Sequence, residues 1–451
     1  MAAEQNSIHG LWRNRWLFIL AATGSAVGLG NIWKFPYITG ENGGGAFVLV
    51  YLFCICLIGL PVMLAEVMLG RMGRQSPINT MRAIAKDAGA NRLWSGIGWM
   101  GAIAGFLILS FYSVIAGWAL AYIFRMAGGV FDGATAETAS ATFNNLIGNP
   151  EVLLAWHSIF MVLTIAVVAR GVNQGLEKAI RILMPMLFVL LFLLMGYALS
   201  SDGFAEGFSF LFSFDSSKLT SESIVIALGH AFFTLSLGLG AIMAYGAYMP
   251  ADISIGKTVV LVGILDTLVA LAAGLAIFPI VFANGLEPGA GPGLLFQTLP
   301  IAFGQMPAGT IFGTLFFVLI TFAAWSSSIS LAEPIVAWAV ESKGMSRASA
   351  ATWVGVCAWL LGLGTVFSFN LWDDVTFFGK TIFDCLDFLT TNILLPLGGL
   401  FIAVFVGWVM RKSDVANEVK MSNPVLFKAW QIVLKFIAPI AVAVVLINGL
   451  I

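Results

Sequence analysis

The residues of this chain that could do chemistry lie inside apolar segments. They are one aspartate, a run of serines and two glycine-rich interruptions. Asp266 sits about nine residues into an apolar run, ~14 Å deep at 1.5 Å per residue. A carboxylate at that depth is costly unless it is paired, bonded to neighbouring hydroxyls, or coordinates a cation. Ser326, Ser327 and Ser328 lie at similar depth in the following run. Their hydroxyls are hard oxygen ligands of the kind sodium takes, although serines also bond back to their own helix. Tyr112, deep in an earlier run, needs a partner for its hydroxyl, for which a backbone carbonyl suffices. Glu66 and Glu333 lie towards the ends of their runs and read as solvated or paired gate residues, and His230 reads as a satisfied core histidine. The 4 cysteines, Cys54, Cys56, Cys357 and Cys385, read as core residues with neither disulfide nor metal spacing. No nucleophile–base pair or metal cluster is visible, so no catalytic residue is assigned and an enzyme is excluded.

The glycine-rich interruptions carry most of the meaning. Thr23 to Asn31 reads Thr-Gly-Ser-Ala-Val-Gly-Leu-Gly-Asn. Each glycine costs a helix roughly 1 kcal/mol against alanine. In a bilayer, backbone groups freed by unwinding must find partners or face water. The segment either breaks near mid-membrane and lines a cavity, or its small residues only permit close helix packing. In a break, freed carbonyls suit a small cation, and the N-terminus of the following half-helix suits an anion. Phe232 to Gly240, Phe-Phe-Thr-Leu-Ser-Leu-Gly-Leu-Gly, repeats the pattern. Gly-Leu-Gly occurs at 28–30 and again at 238–240, each after small hydroxylated residues. The copies lie five spans apart, in the first and the sixth, so the second enters the membrane from the opposite side. Two such breaks in corresponding places of two inverted halves point to a transporter binding site at the midplane.

The elements that must position these residues follow from composition. The 451 residues are 59% hydrophobic and 10% charged, whereas a soluble domain carries about 25% charged residues. The chain therefore reads as an all-α polytopic membrane protein, embedded in a lipid bilayer, with no nucleic-acid module. Eleven apolar spans are expected at roughly 15–38, 44–70, 95–125, 151–170, 176–199, 222–248, 257–284, 309–341, 348–369, 381–410 and 427–450. The alternating loops that include Arg13, Arg15, Arg71, Arg74, Arg82, Lys86, Arg170, Lys178, Arg181, Lys343, Arg347, Arg411 and Lys412 carry most of the positive charge. The other side holds only Arg125, Lys218 and Lys380. The bias places the N-terminus in the cytoplasm and the C-terminus outside. The outer stretch 286–307 is long enough to fold over a vestibule as a lid. Gly175 and Pro185 allow the start of the fifth span either to unwind or to kink.

The motifs Thr23–Pro36, Glu41–Phe47, Phe232–Gly240 and Trp325–Ser328 strongly resemble the neurotransmitter:sodium symporters, above all their bacterial eleven-span amino-acid branch. The resemblance covers nearly the whole chain. It implies one transporter domain over 1–451, with inverted repeats at about 11–199 and 222–410 and an extra helix at about 427–450. It implies two sodium ions. The first is held by the Ala26 carbonyl, Asn31, Thr234 and Asp266. The second is held by carbonyls of Gly24, Val27 and Ala323 and the hydroxyls of Ser326 and Ser327. The substrate carboxylate meets Tyr112 and the N–H groups of Leu29 and Gly30. The amine meets carbonyls of Ala26, Phe233 and Thr234, with Ser236 nearby. The side-chain pocket is Ser25, Ile108, Phe233, Leu239, Ser328 and Leu331.

By the same resemblance, Lys34 faces Asp384 or Asp387 at the outer gate, with Phe233 closing the pocket from above. Lys34 stands where an arginine is usual, so the bidentate pair is lost. At the inner gate stand Trp12 and Glu341, with Arg13 substituting for the basic partner at the His9 position. His230 replaces a glutamine. Gly28 stands where monoamine carriers have an aspartate, which predicts substrates that bring their own carboxylate. Ala270 replaces the serine of a chloride site and Asp266 its neighbouring asparagine, so chloride is not required. The expected activity is sodium-coupled import of neutral, mostly hydrophobic amino acids at the plasma membrane, of the bacterial inner-membrane kind, with a monomer sufficient. A carrier of another small zwitterion, or a non-transporting sensor or channel on the same scaffold, is the alternative.

Overall fold

A helix satisfies its own backbone hydrogen bonds, which is why an apolar chain in lipid adopts it. The computed structural model describes residues 8–288 and 293–450. Among them the only strand-like feature is an isolated bridge between Phe377 and Lys380. Nine helices among the described residues are long and apolar enough to cross a bilayer: Gly45–Gly73, Arg92–Ala127, Pro150–Val168, Val172–Leu199, Ile255–Ala283, Gly309–Lys343, Arg347–Phe367, Ile382–Val409 and Pro424–Gly449. The first expected span is a bent pair, Arg15–Ala26 and Gly30–Glu41, turned by 53°. The sixth is two short helices, Ser221–Thr234 and Ala241–Ala247, either side of 235–240. The protein is an all-α polytopic membrane protein, broken in its first and sixth spans.

Local signals start these helices where polar residues interrupt apolar runs. The Asn14 side chain accepts from the Leu17 N–H at 3.0 Å, and Asn149 caps the helix that Pro150 opens. The third and eighth spans, Arg92–Ala127 and Gly309–Lys343, pack along each other at the centre. Their most apolar windows are 78% buried, against 17% for Pro424–Gly449, which leaves the last helix on the lipid side.

Both breaks are built, not frayed. Val27 leaves the helix in an extended conformation, with ψ at 111°. In the second break Gly238 and Gly240 hold φ of +77° and +72°, and Ser236, which has a Cβ, is held at +54°. Gly101 lets the third span close on this break, because a Cβ there would lie 2.9 Å from the Gly240 nitrogen. Glu66 is fully buried and accepts a hydrogen bond from the Gly238 N–H at 3.1 Å. It supports the second break and is no solvated gate residue. Its place towards the end of Gly45–Gly73 is as expected; its partner there is the broken backbone of the sixth span.

Other expectations are adjusted by packing. The turn containing Gly175, Val172–Leu176, is widened, yet the fifth span stays helical through Pro185. Cys56 and Cys357 face outward and are not core, while Cys54 is buried; all are free thiols. The stretch 286–307 includes 289–292, outside the described residues. Its remainder forms helix over Leu294–Gln305. The carbonyl of Phe296 accepts from the Tyr122 hydroxyl at 2.8 Å, and its ring packs edge-on against Trp33 and Trp118.

Candidate functional site

The first break brings together residues far apart in sequence. The Asn31 amide donates to an Asp266 carboxylate oxygen at 2.8 Å and to the Thr234 hydroxyl at 3.0 Å. Thr234 donates to the other Asp266 oxygen at 3.1 Å. Asn31 Oδ1 accepts from the Gly28 N–H at 3.1 Å, which ties the side chain to the broken backbone. Asp266, Asn31 and Thr234 are all buried, and no basic side chain pairs with Asp266 among the described residues. The result is a buried carboxylate held by neutral donors, a donor set of oxygens that suits a hard monovalent cation. The hydroxyl of Tyr51, in the second span, is buried near Asp266 and Thr234 without a hydrogen bond of good geometry among the described residues. It was missed in the sequence, because a tyrosine in an apolar span carries no positional signal.

A second group of oxygens forms where the eighth span passes the first break. Ser327 Oγ lies 3.1 Å from the Val27 carbonyl, 3.4 Å from that of Ser25 and 3.5 Å from that of Gly24. Ser326 Oγ donates to the Ala323 carbonyl at 3.0 Å. All these groups are neutral oxygens. Ser328 does not join them. Consecutive helical residues point about 100° apart, so three neighbouring serines cannot face one partner. Its hydroxyl donates to the Trp325 carbonyl at 2.9 Å and meets Thr164 of the fourth span at 2.8 Å.

Between the two breaks lies a cavity of about 30 Å³. Ser25, Ala26, Leu29 and Gly30 of the first span line it, with Ile108 and Tyr112 of the third. Phe233, Ser236, Leu239 and Leu331 complete it, as do Gly28, expected beside the substrate carboxylate, and Ser327, expected only at the second sodium. Thr234 and Ser328, which were expected to line it, stand outside it. The Tyr112 hydroxyl accepts from the Leu29 N–H at 3.3 Å, and the Ser236 hydroxyl donates to the Ser25 carbonyl at 2.9 Å, joining the two breaks. A Cβ at Gly28 would fall 2.5 Å from Ser327 Oγ and 2.9 Å from the Tyr112 hydroxyl. The cavity is narrow, and Phe233 lines its side towards the space beyond.

Beyond Phe233 a wider vestibule of about 400 Å³ shares Leu29, Tyr112 and Phe233 with the cavity. Lys34, Asp384 and Asp387 line it together with Phe296. Lys34 Nζ lies 4.6 Å from the centre of the Phe233 ring. No ion pair joins it to Asp384 or Asp387 among the described residues. Asp384 instead accepts from the Thr381 N–H and hydroxyl, at 3.1 and 2.8 Å. His230 is buried, stacks on Phe35 and has no hydrogen bond to either ring nitrogen among the described residues, so it is not the satisfied core residue expected.

The basic face is closed by contrast. The Trp12 indole donates to the Tyr245 carbonyl at 3.1 Å, and its N–H to that of Tyr248 at 2.9 Å. Glu341 contacts His9 at 2.9 Å and accepts from the Ser76 N–H at 2.7 Å and Asn79 at 2.8 Å. His9 fills the basic position itself; Arg13 points away, to Glu177 at 3.3 Å. Glu333 is paired, as one of the two readings had it, with Arg347 and the Tyr248 hydroxyl.

Comparison with known proteins places this geometry. The chain matches the sodium:neurotransmitter symporter family over residues 9–132 and 142–451. It is 40% identical over 99% of its length to an uncharacterized sodium-dependent transporter of Bacillus subtilis, YhdH, covering 98% of that protein. A second uncharacterized sodium-dependent transporter, from Haemophilus influenzae, is 35% identical over 97% of this chain and 98% of its own. Among solved structures, that of MhsT in complex with L-phenylalanine is 46% identical. It superposes with a TM-score of 0.90 over 98% of this chain and 99% of the other.

Proposed function

This chain belongs to the sodium:neurotransmitter symporter family, and from that premise we propose that it imports neutral, mostly hydrophobic amino acids with sodium by alternating access. As a sodium-dependent membrane transporter it is no enzyme. The observation that carries the substrate class is Gly28. It puts no side chain against Tyr112 and the Leu29 N–H, where even a Cβ would crowd Ser327 and Tyr112, so the site brings no carboxylate of its own there. The positive end of the half-helix that begins at Gly30 then receives the substrate's carboxylate. Ser25, Ile108, Leu239 and Leu331 offer its side chain a mainly apolar wall. The phenylalanine bound to MhsT is a ligand of this kind.

Two sodium ions accompany it. One binds at Asn31, Thr234, Asp266 and the Ala26 carbonyl, the other at Ser326, Ser327 and the carbonyls of Gly24, Val27 and Ala323. Asp266 supplies a fixed negative charge, and Ala270 lacks a hydroxyl for an anion, so chloride is dispensable. The basic face lies in the cytoplasm, with the C-terminus outside, in a bacterial inner membrane, and one copy suffices. Import then begins from a state like this one, sealed at Trp12 and Glu341 and open above Phe233. Substrate entry draws Lys34 and Phe233 inward, and release of the second sodium frees Arg15–Ala26 to swing.

The test is competition for sodium-driven uptake of labelled amino acid by matched pairs, leucine with isoamylamine and tryptophan with tryptamine. The acids compete and their decarboxylated amines do not. Equal competition by both members of a pair overturns the carboxylate assignment.

A further inference from the structure

Far from the breaks, the fourth span, Pro150–Val168, and the ninth, Arg347–Phe367, leave an apolar groove of about 470 Å³ between them. Its floor is tight, since a Cβ at Gly355 would lie 2.4 Å from Ile165 Cγ1. At mid-span it ends at Ser158 and Trp359, the indole donating to the serine hydroxyl at 2.9 Å. The other end, at Ala169 and Thr352, lies at the basic face. From Ser158 to Ala169 is about 11 residues, or ~16 Å at 1.5 Å per residue. That is close to half of a hydrocarbon core ~30 Å thick. The groove thus runs the depth of a single leaflet. Its walls include Val162, 67% exposed, and Val356, 42% exposed. In a membrane, this surface is reached by acyl chains.

The groove's open end carries charge. Arg170 follows Ala169 directly, is exposed, and makes no ion pair among the described residues. The neighbouring Arg347 is committed to Glu333 and to the Val168 carbonyl, so it does not compete for a ligand. An apolar slot one leaflet deep, with an exposed, unpaired arginine one residue beyond its end, matches one acyl chain of a lipid whose headgroup is anionic. We propose that this groove seats one anionic phospholipid, with an acyl chain along the fourth and ninth spans and its phosphate paired with Arg170. No residue of the substrate or sodium sites takes part.

The experiment is native mass spectrometry of the purified full chain, titrated with phosphatidylglycerol or with phosphatidylcholine of the same chains. The parent, Arg170→Gln and Ala166→Phe are compared, Ala166 being an exposed residue of the groove wall. The parent is expected to retain one phosphatidylglycerol about fivefold more tightly than phosphatidylcholine, the worth of one basic residue at an anionic surface. Arg170→Gln should erase that preference but still hold lipid, and Ala166→Phe should lose the retained lipid of either kind. Unchanged melting temperatures in detergent establish that the variants fold. Should Ala166→Phe fail that check, Val356→Trp on the facing wall reads the same quantity. Equal retention of the two lipids by the parent overturns the proposal, as does full retention by the groove-filled variant. A parent dimer that Ala166→Phe dissolves also overturns it, since a second copy then fills the groove.

Discussion

The two oxygen clusters at the first break are built from the same stretch of backbone and differ in one respect, charge. The cluster of Asn31, Thr234 and Asp266 is organised by a buried carboxylate to which every neighbour donates. The cluster of Ser326, Ser327 and the first-span carbonyls has no charged member. A buried charge binds a cation strongly and a proton as well, whereas carbonyls and hydroxyls bind weakly and let go. In the proposed mechanism the charged site is the anchor that holds ion and substrate together, and the neutral one is the latch, whose release is tied to movement of Arg15–Ala26. The comparison can be broken by adding a second charge, removing the first, or taking ligands from the neutral side.

Adding a second charge should have the largest effect. Gly28→Asp places a carboxylate on the neutral side, within reach of Ser327 and Tyr112. It adds a like charge where the substrate carboxylate goes, and bulk where a Cβ has no room. Amino-acid uptake should be abolished, and binding of labelled substrate with it. Retained amino-acid binding would show that the carboxylate goes elsewhere.

Removing the charge comes next. Opposite charges ~4 Å apart gain about 4 kcal/mol at an effective dielectric of 20, partly offset by desolvation. Asp266→Asn should therefore raise the sodium concentration needed for half-maximal uptake by at least about tenfold. In the parent, a proton and sodium compete for the carboxylate, so the apparent sodium affinity should fall as the pH is lowered. In the asparagine variant that pH response should flatten. Unchanged sodium affinity together with an unchanged pH response would remove Asp266 from the site.

Taking one neutral ligand is milder. Ser326→Ala or Ser327→Ala deletes one of several hard oxygens. The loss, about 1 kcal/mol for a single polar contact, is near fivefold in sodium requirement. Substrate selectivity, measured by competition among amino acids, should stay as in the parent. If both variants keep the parent's sodium dependence, the latch is elsewhere. Ser328→Ala should have the smallest effect on transport. Its hydroxyl serves Trp325 and Thr164, so the change lowers the melting temperature by a few degrees at most and leaves sodium dependence within about twofold. A large rise in sodium requirement would put Ser328 back into the binding set.

Which parts of this arrangement could be read beforehand has a physical pattern. The breaks were legible because glycines at 28, 30, 238 and 240 conflict with a helix that membrane burial otherwise enforces. Asp266 was legible because charge at its depth needs a reason. Direction was not legible: the choice of Ser327 over Ser328 depends on helix rotation, which only the packed neighbours set. Long-range pairing was hidden too. His9 reaches Glu341 across 332 positions, and Glu66 finds the Gly238 N–H across 172, neither with a local signature. Tyr51 and His230 were hidden for a further reason, since an aromatic ring in an apolar span is as often packing as function.

The central claim is that sodium, anchored by Asp266, drives amino-acid import without chloride. It is tested most directly by phenylalanine uptake into proteoliposomes, with an inward sodium gradient and gluconate replacing all chloride. The account predicts accumulation above the external concentration in the parent, abolished when the sodium gradient is collapsed. Uptake that only equilibrates, binding without accumulation, or a strict need for chloride would contradict it.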